Sequence, residues 1–325
     1  MRIALATWPA DYGSPVGDGA LEETTTVVDT AVEERGVWAP RRVTVPPASV
    51  VWFVDGVRRM EARAWLIDDD GSTTPGLVAS WAAGAVRCNN FARLSAKHAA
   101  EPSGPRNKAV IERCKVRRGL FSASEDGPGL ITEDDTMVFL ACHAHADTDA
   151  GLRNALQAAM RAMEFDVARG IGDLEDLIFL DGPVRGRTRG RTVGYIKTQQ
   201  VAYLPQALRA TVEQLEVGQR TPLFLTSSEN WQHWSWYLRL SKDGQHPWEA
   251  VARCEVPKEG IDLPAAVALA DEATASLPRF ASRPHRDARA PQNLYPIGGL
   301  ERFLRHRLGE GALIARHLRR AVATR

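Results

Sequence analysis

Two short stretches of this sequence share one pattern: an apolar run, an aspartate, then a glycine. Val50-Val51-Trp52-Phe53-Val54 leads into Asp55-Gly56, and Leu177-Ile178-Phe179-Leu180 leads into Asp181-Gly182. Apolar runs of this length, rich in β-branched and aromatic residues and bounded by turn residues, read as buried strands. Glycine after each aspartate lets the backbone turn sharply, so each carboxylate is expected at the C-terminal end of its strand. Ligands of α/β sheets gather at that edge, and two such aspartates on neighbouring strands would converge there. Converging carboxylates repel, and they persist most easily with a divalent cation between them. Oxygen-only donors select Mg²⁺ or Mn²⁺ over softer metals. A single Asp-Gly pair equally marks an ordinary turn; the repetition is what points to chemistry.

The surrounding pattern predicts an α/β fold, a central mixed sheet covered by helices. After the strand at 50–54, residues 60–67 alternate, Asp68-Asp69-Asp70-Gly71 forms a turn, and 77–85 gives a third strand, so the sheet opens as a meander. Further strands are expected at 137–144, 177–180, 193–198, 221–226, 234–240 and 250–256. Asp147 or Thr148 can cap a helix reaching about Arg169, with Leu152, Ala155, Leu156, Ala159, Met160 and Met163 at helical spacing. Other helices are expected at 205–215 and 263–277, with two basic ones at 294–308 and 312–323. Residues 1–45 read as an irregular arm with one short helix near 21–35, residues 46–310 as the main domain, and 311–325 as a basic C-terminal helix.

A net charge of only +1 speaks against a nucleic-acid partner at first sight. The charges are unevenly placed, however. Residues 121–181 carry thirteen acids against three basic residues, whereas 182–220 carry seven basic residues against two acids, and 279–325 carry eleven arginines against three acids. Such opposed segments either neutralise each other through salt bridges or form a metal-binding carboxylate site with phosphate-binding flanks. Four cysteines, at 88, 114, 142 and 254, form no Cys-x-x-Cys pair, so neither a disulfide framework nor a zinc knuckle is suggested. With no signal-like start and no apolar run near membrane-spanning length, a reduced, cytoplasmic chain is expected.

Phe53-Val54-Asp55-Gly56 with Arg58-Arg59, then Leu180-Asp181-Gly182, then Val193-Gly194-Tyr195-Ile196-Lys197-Thr198, together resemble the NurA nucleases. The closing Ala290-Pro291-Gln292-Asn293-Leu294-Tyr295-Pro296-Ile297-Gly298 resembles the bacterial branch of that family. The resemblance covers residues 45–310 and lies in the order and spacing of motifs that are short individually. It implies an RNase H-like fold and DNA cleavage with Mn²⁺ or Mg²⁺. It also implies a homodimer docked on a hexameric HerA-type ATPase, in DNA end processing, repair or defence. By position Asp55 matches the family's first-strand aspartate and Asp181 the later one. Glu164 is the best match to a glutamate on the helix before the second aspartate. The residues alone give Glu164 limited support: it flanks the apolar stripe beside Met160, with Asp166 nearer the other edge. A two-metal site would have Asp55 bind both cations and Asp181 and Glu164 complete their shells, with ions ~4 Å apart. Archaeal members add a histidine near the C-terminus. The corresponding stretch here has none, so Asn293, Glu301 or a more distant His285 is left for that fourth position.

Four arginines at alternate positions, Arg185, Arg187, Arg189 and Arg191, follow Asp181 on a glycine-rich loop that either grips DNA phosphates or is a solvated hairpin tip. Lys197, in the Tyr-Ile-Lys segment, either steadies the scissile phosphate or is a strand-end charge. In Trp231-Gln232-His233-Trp234-Ser235-Trp236-Tyr237, Trp234 and Trp236 point to the core, while Trp231 and Tyr237 fall on the opposite face, where aromatic rings can stack on unpaired bases. His143 and His145 read as structural. Two other classes compete with a nuclease. The missing histidine suits a non-catalytic adaptor that binds DNA and recruits the translocase. An actin-like ATPase is disfavoured, because Val57-Arg58 stand where a Gly-Thr/Ser phosphate loop would follow Asp55.

Overall fold

A computed structural model describes residues 22–23, 26–89, 108–124, 127–131, 137–184, 188, 190–199, 201–242 and 246–323. The protein is α/β, with a large mixed sheet flanked by helices. Two compact units interleave along the chain. The first comprises Met1–Phe53, Val86–Val110 and Ile171–Gly298; the second comprises Val54–Ala85, Ile111–Gly170 and Gly299–Arg325. Among the described residues no helix is long and apolar enough to cross a membrane.

In the first unit an antiparallel run passes through Val27–Asp29, Phe224–Ser227, Gln232–Arg239, Val251–Pro257 and Arg191–Ile196. Leu177–Asp181 then pairs parallel to Arg191–Ile196, with Tyr195 opposite Asp181. The strands Gln232–Arg239 and Val251–Pro257 are buried along nearly their whole length, so they carry core on both faces. One face is filled by Leu204, Val212, Leu215, Phe224, Tyr237, Trp248 and Val251. Helix Leu263–Ser276 starts where the Asp262 side chain accepts the Ala265 N–H, satisfying one of the amides a helix start leaves open.

The second unit is built on long strands. Val50–Ile67 enters it at Val54 and turns at 68–71, where Gly71 at φ 84° donates to the Asp68 carbonyl. The chain returns as Thr73–Asn89, and Lys108–Ser122 then pairs parallel to Val138–His143. Thr148 caps helix Asp149–Arg169 by accepting the Gly151 N–H, and the helix buries Leu152, Leu156, Met160, Met163 and Val167. The C-terminal helix Gly311–Ala323 contributes Ile314 and Leu318 to a core with Val78, Leu120, Leu130 and Phe139.

Several expectations are corrected. Residues 26–35 form no helix; Val27–Asp29 is a strand, held by pairing with Phe224–Ser227 rather than by local periodicity. Asp55-Gly56 does not end its strand, which runs unbroken to Ile67. The fifteen-residue strand Lys108–Ser122 was not anticipated, because five charges between Glu112 and Arg118 mask the inward alternation of Cys114 and Val116.

The 26–38 segment is fastened by Arg220, which is buried and ion-paired to both Glu33 and Asp271. Burial by itself raises the Glu33 carboxyl. The hydrogen bond and charge of Arg220, with the Leu223 amide and Arg41, outweigh it and hold the group below its ordinary value. Arg220→Met strands both carboxylates and is expected to cost about 3–5 kcal/mol in chemical denaturation at neutral pH. Glu33's share of the stability is fully present above its ordinary pKa of 4.5 and is lost as pH falls through the lowered folded value. The gap between wild type and variant should therefore narrow in acid.

Candidate functional site

Asp55 lies in the middle of its strand at 6% exposure, and its Oδ1 accepts the Gly56 N–H at 2.8 Å. Gly56 is not needed for a turn, since its φ is not positive. It is needed for space. A Cβ there would sit 2.5 Å from Glu164 Oε1, 2.9 Å from Met160 Cγ and 3.2 Å from the Ala82 carbonyl. The Glu164 carboxylate therefore rests on the backbone immediately after Asp55, carried there by the buried Met160–Met163 turn of its helix. Helix Tyr295–Arg307 is seated in the same way. A Cβ on Gly84 would meet Leu300 and Leu304 at 3.1 Å and the Arg113 carbonyl at 2.8 Å. Glu301, next to Leu300, offers a carboxylate oxygen within 4.8 Å of one from Asp55. Two bare strand positions thus seat two helices, one bringing Glu301 within 4.8 Å of Asp55 and the other bringing Glu164 onto the Gly56 backbone. All the donors are carboxylate oxygens, a hard set that fits Mg²⁺ or Mn²⁺ and offers nothing to thiophilic metals.

In the first unit Asp181 does end its strand. Gly182 adopts φ 112°, a conformation open to glycine and unfavourable for other residues. Its N–H donates to the Tyr195 carbonyl at 2.8 Å. Asp181 Oδ2 is ion-paired to Lys197 Nζ at 2.5 Å, both side chains being 11% exposed. Lys197 also donates to Asn293 Oδ1 at 2.9 Å, and Asn293 Nδ2 donates to Asp287 Oδ2 at 2.7 Å. Two residues before Lys197, on strand Arg191–Ile196, the Tyr195 hydroxyl donates to the Gln292 carbonyl at 2.6 Å. Burial, reinforced by Cys254 and Asp181, holds that hydroxyl well above its ordinary pKa, so it stays a donor.

The segment leaving Asp181 folds over Gly194, where a Cβ would lie 2.8 Å from Val184 Cγ2 and 2.9 Å from both the Gly182 carbonyl and the Val184 nitrogen. The Val184 N–H donates to the buried Glu255 carboxylate at 3.0 Å, and Arg253 donates to its other oxygen at 2.7 Å. His233 Nδ1 lies 3.7 Å from Glu255, and burial lowers its pKa in spite of that carboxylate, which favours the neutral imidazole.

The other residues singled out from the sequence fall in different places. Arg191 is ion-paired to Glu272 and donates to the Glu175 carbonyl. Arg185, Arg187 and Arg189 lie outside the described residues. Trp231 is 39% exposed and stacks on His233 with ring centres 4.7 Å apart. Tyr237, expected on an open face, is 1% exposed and packs between Phe224 and Trp248. Asp166 turns away to pair with Arg169, and His285 is exposed. Asn293 and Glu301, alternatives for one position in the sequence, have separate surroundings: the first holds Lys197, the second stands by Asp55. Asp287 and Glu255 were not foreseen, since isolated acids in a loop and a strand carry no motif.

Compared with known proteins, the chain matches no protein-family model and no curated protein sequence.

Because the atoms facing Gly194 include backbone, which cannot swing aside, Gly194→Ala should cost about 1–3 kcal/mol. Thermal denaturation should show the loss, and hydrogen exchange should locate it at the Val184 amide.

Proposed function

We propose that the protein is a divalent-metal-dependent deoxyribonuclease of the NurA type, built on an RNase H-like fold. In this reading it uses Mn²⁺ or Mg²⁺ and acts as a cytoplasmic homodimer with a hexameric HerA-type ATPase in DNA end processing or defence. One observation carries it: Asp55 and Glu301 oxygens lie within 4.8 Å while the Glu164 carboxylate rests on the next backbone unit. The Asp55 and Glu301 carboxylates so placed raise each other's cost, and a small divalent cation relieves it. Asp181 is added as the further ligand that the family resemblance implies.

When bound, the cations supply charge for the negative oxygens of an in-line displacement at phosphorus. The protein's part is to hold and aim. Asp55, Glu164 and Glu301 would hold a cation, with Asp181 the further ligand that the resemblance implies, and Lys197 would present an ammonium to a phosphate oxygen. Arg185, Arg187 and Arg189 would take phosphates along the strand, and Trp231 offers a face for an unpaired base.

A second reading, an adaptor that binds DNA and recruits the translocase without cutting, draws on the Asp181–Lys197 pair, in which a lysine already neutralises the aspartate. The readings separate in one series. Purified protein should cut single-stranded DNA with Mn²⁺. Asp55→Asn, Asp181→Asn and Glu301→Gln should each slow cleavage by about 10²–10³-fold with the melting temperature retained, whereas Asp166→Asn should cut normally. If calorimetry finds no divalent-ion binding while DNA still binds, the adaptor is correct and the nuclease is not.

A further inference from the structure

We propose that Asp287 is the positioning residue of the site: it fixes the Asn293 side-chain amide, which in turn aims the Lys197 ammonium at a DNA phosphate oxygen. This rests on the nuclease reading for its substrate, but its geometry stands apart from it.

The argument starts from donor and acceptor chemistry. An ionised carboxylate can only accept hydrogen bonds, and an ammonium can only donate. Asn293 sits between one of each. Its Nδ2 faces Asp287 Oδ2 at 2.7 Å and its Oδ1 faces Lys197 Nζ at 2.9 Å. Rotating the amide by half a turn would set oxygen against the Asp287 carboxylate and N–H against the ammonium, so both contacts would become repulsive. Asp287 therefore selects one amide orientation, and that orientation presents an acceptor to Lys197. Asn293 is wholly buried, so water cannot replace either partner cheaply.

Asp287 is itself held. Its Oδ1 accepts the Arg289 N–H at 2.8 Å, its carbonyl accepts the Ala290 N–H at 3.2 Å, and the Asn293 N–H returns to the Arg289 carbonyl at 2.9 Å. The loop is fastened to the strand below it by the Tyr195 hydroxyl on the Gln292 carbonyl. The result is a rigid bracket one residue deep behind Lys197.

An ammonium has three N–H bonds. Among the described residues Asp181 takes one and Asn293 another. Two fixed partners determine the direction of the third, and that N–H is the one assigned to the phosphate. A lysine held only by Asp181 would keep its charge but lose this direction. The effect of losing the bracket should fall on kcat, where orientation matters, more than on KM.

The chain has six lysines, few enough to resolve individually with labelled lysine in nuclear magnetic resonance. Lys197→Met serves to assign the Lys197 signal. In Asp287→Asn, residue 287 can donate as well as accept, so the Asn293 amide is free to turn. The Lys197 ammonium signal should then move to the position of exposed lysines, and kcat on single-stranded DNA with Mn²⁺ should fall about tenfold, with KM within about twofold. Asn293→Ser, which deletes the amide, should give the same shift, and Asp287→Glu should restore the signal. Mn²⁺ affinity by calorimetry should stay near wild type in all of them. An unchanged Lys197 signal in Asp287→Asn overturns the proposal, whether or not kcat falls. If wild-type protein cuts no DNA but the signal still moves, the bracket stands and the nuclease reading is what fails.

Discussion

Glu164 and Met160 rest against the backbone after Asp55 because position 56 has no side chain, and the seating of their helix depends on that space. The Gly56 backbone sets how closely helix Asp149–Arg169 approaches its strand, and Gly84 does the same for the helix carrying Glu301. Both glycines are extended rather than left-handed, so their value is steric. The consequence is electrostatic. Two carboxylate charges within 4.8 Å of each other repel by about 3 kcal/mol or more at an effective dielectric near 20. Packing that forces acids together against such a cost works against folding, and it becomes favourable once a cation is present. The same close contact thus explains the tight helix seating and the affinity for metal that the site is proposed to have.

The first unit manages its charges differently. Asp181 is neutralised within the unit by Lys197, Lys197 is steadied by Asn293, and Asn293 is oriented by Asp287. Each member satisfies the polar need of the next, so the chain of contacts is rigid without an added ion. Glu255 plays a similar part for the backbone, joining Val184 to Arg253 and limiting how the segment beyond Asp181 can move. One unit brings acids together, and the other presents an ordered cation.

What the sequence disclosed follows from whether the cause was local. Thr148 as a cap, the helix stripe from Leu152 to Met163, and the turn at 68–71 are all decided within a few residues, and each was legible. Asp55 and Asp181 stood out through a repeated pattern, yet the shared Asp-Gly performs two physical tasks: Gly182 turns the chain at positive φ, whereas Gly56 admits a helix. No sequence window separates those, because the partner of Gly56 is more than a hundred residues away. Distance also hid the strand at Val27–Asp29, which exists through pairing with Phe224–Ser227. Tyr237 was misjudged because alternation assumes one open face, and Gln232–Arg239 is covered on both. Glu301 and Asn293 looked interchangeable, since either could supply an oxygen. Only the fold gives one to Asp55 and the other to Lys197.

Charge counted along the chain also overstates what a ligand would meet. Arg191, part of the basic stretch after Asp181, is held by Glu272, and Arg59, Arg63 and Arg153 are held by Glu61 and Asp149. Arg220 serves Glu33 and Asp271. Part of the near-balance of 41 basic and 40 acidic residues is therefore met by pairing within the chain. Arginines engaged in this way contribute less to a ligand than a few aimed cations. That makes the direction of Lys197, set by the Asp181 carboxylate and the Asn293 amide, a larger part of the proposed recognition than the arginine count suggests.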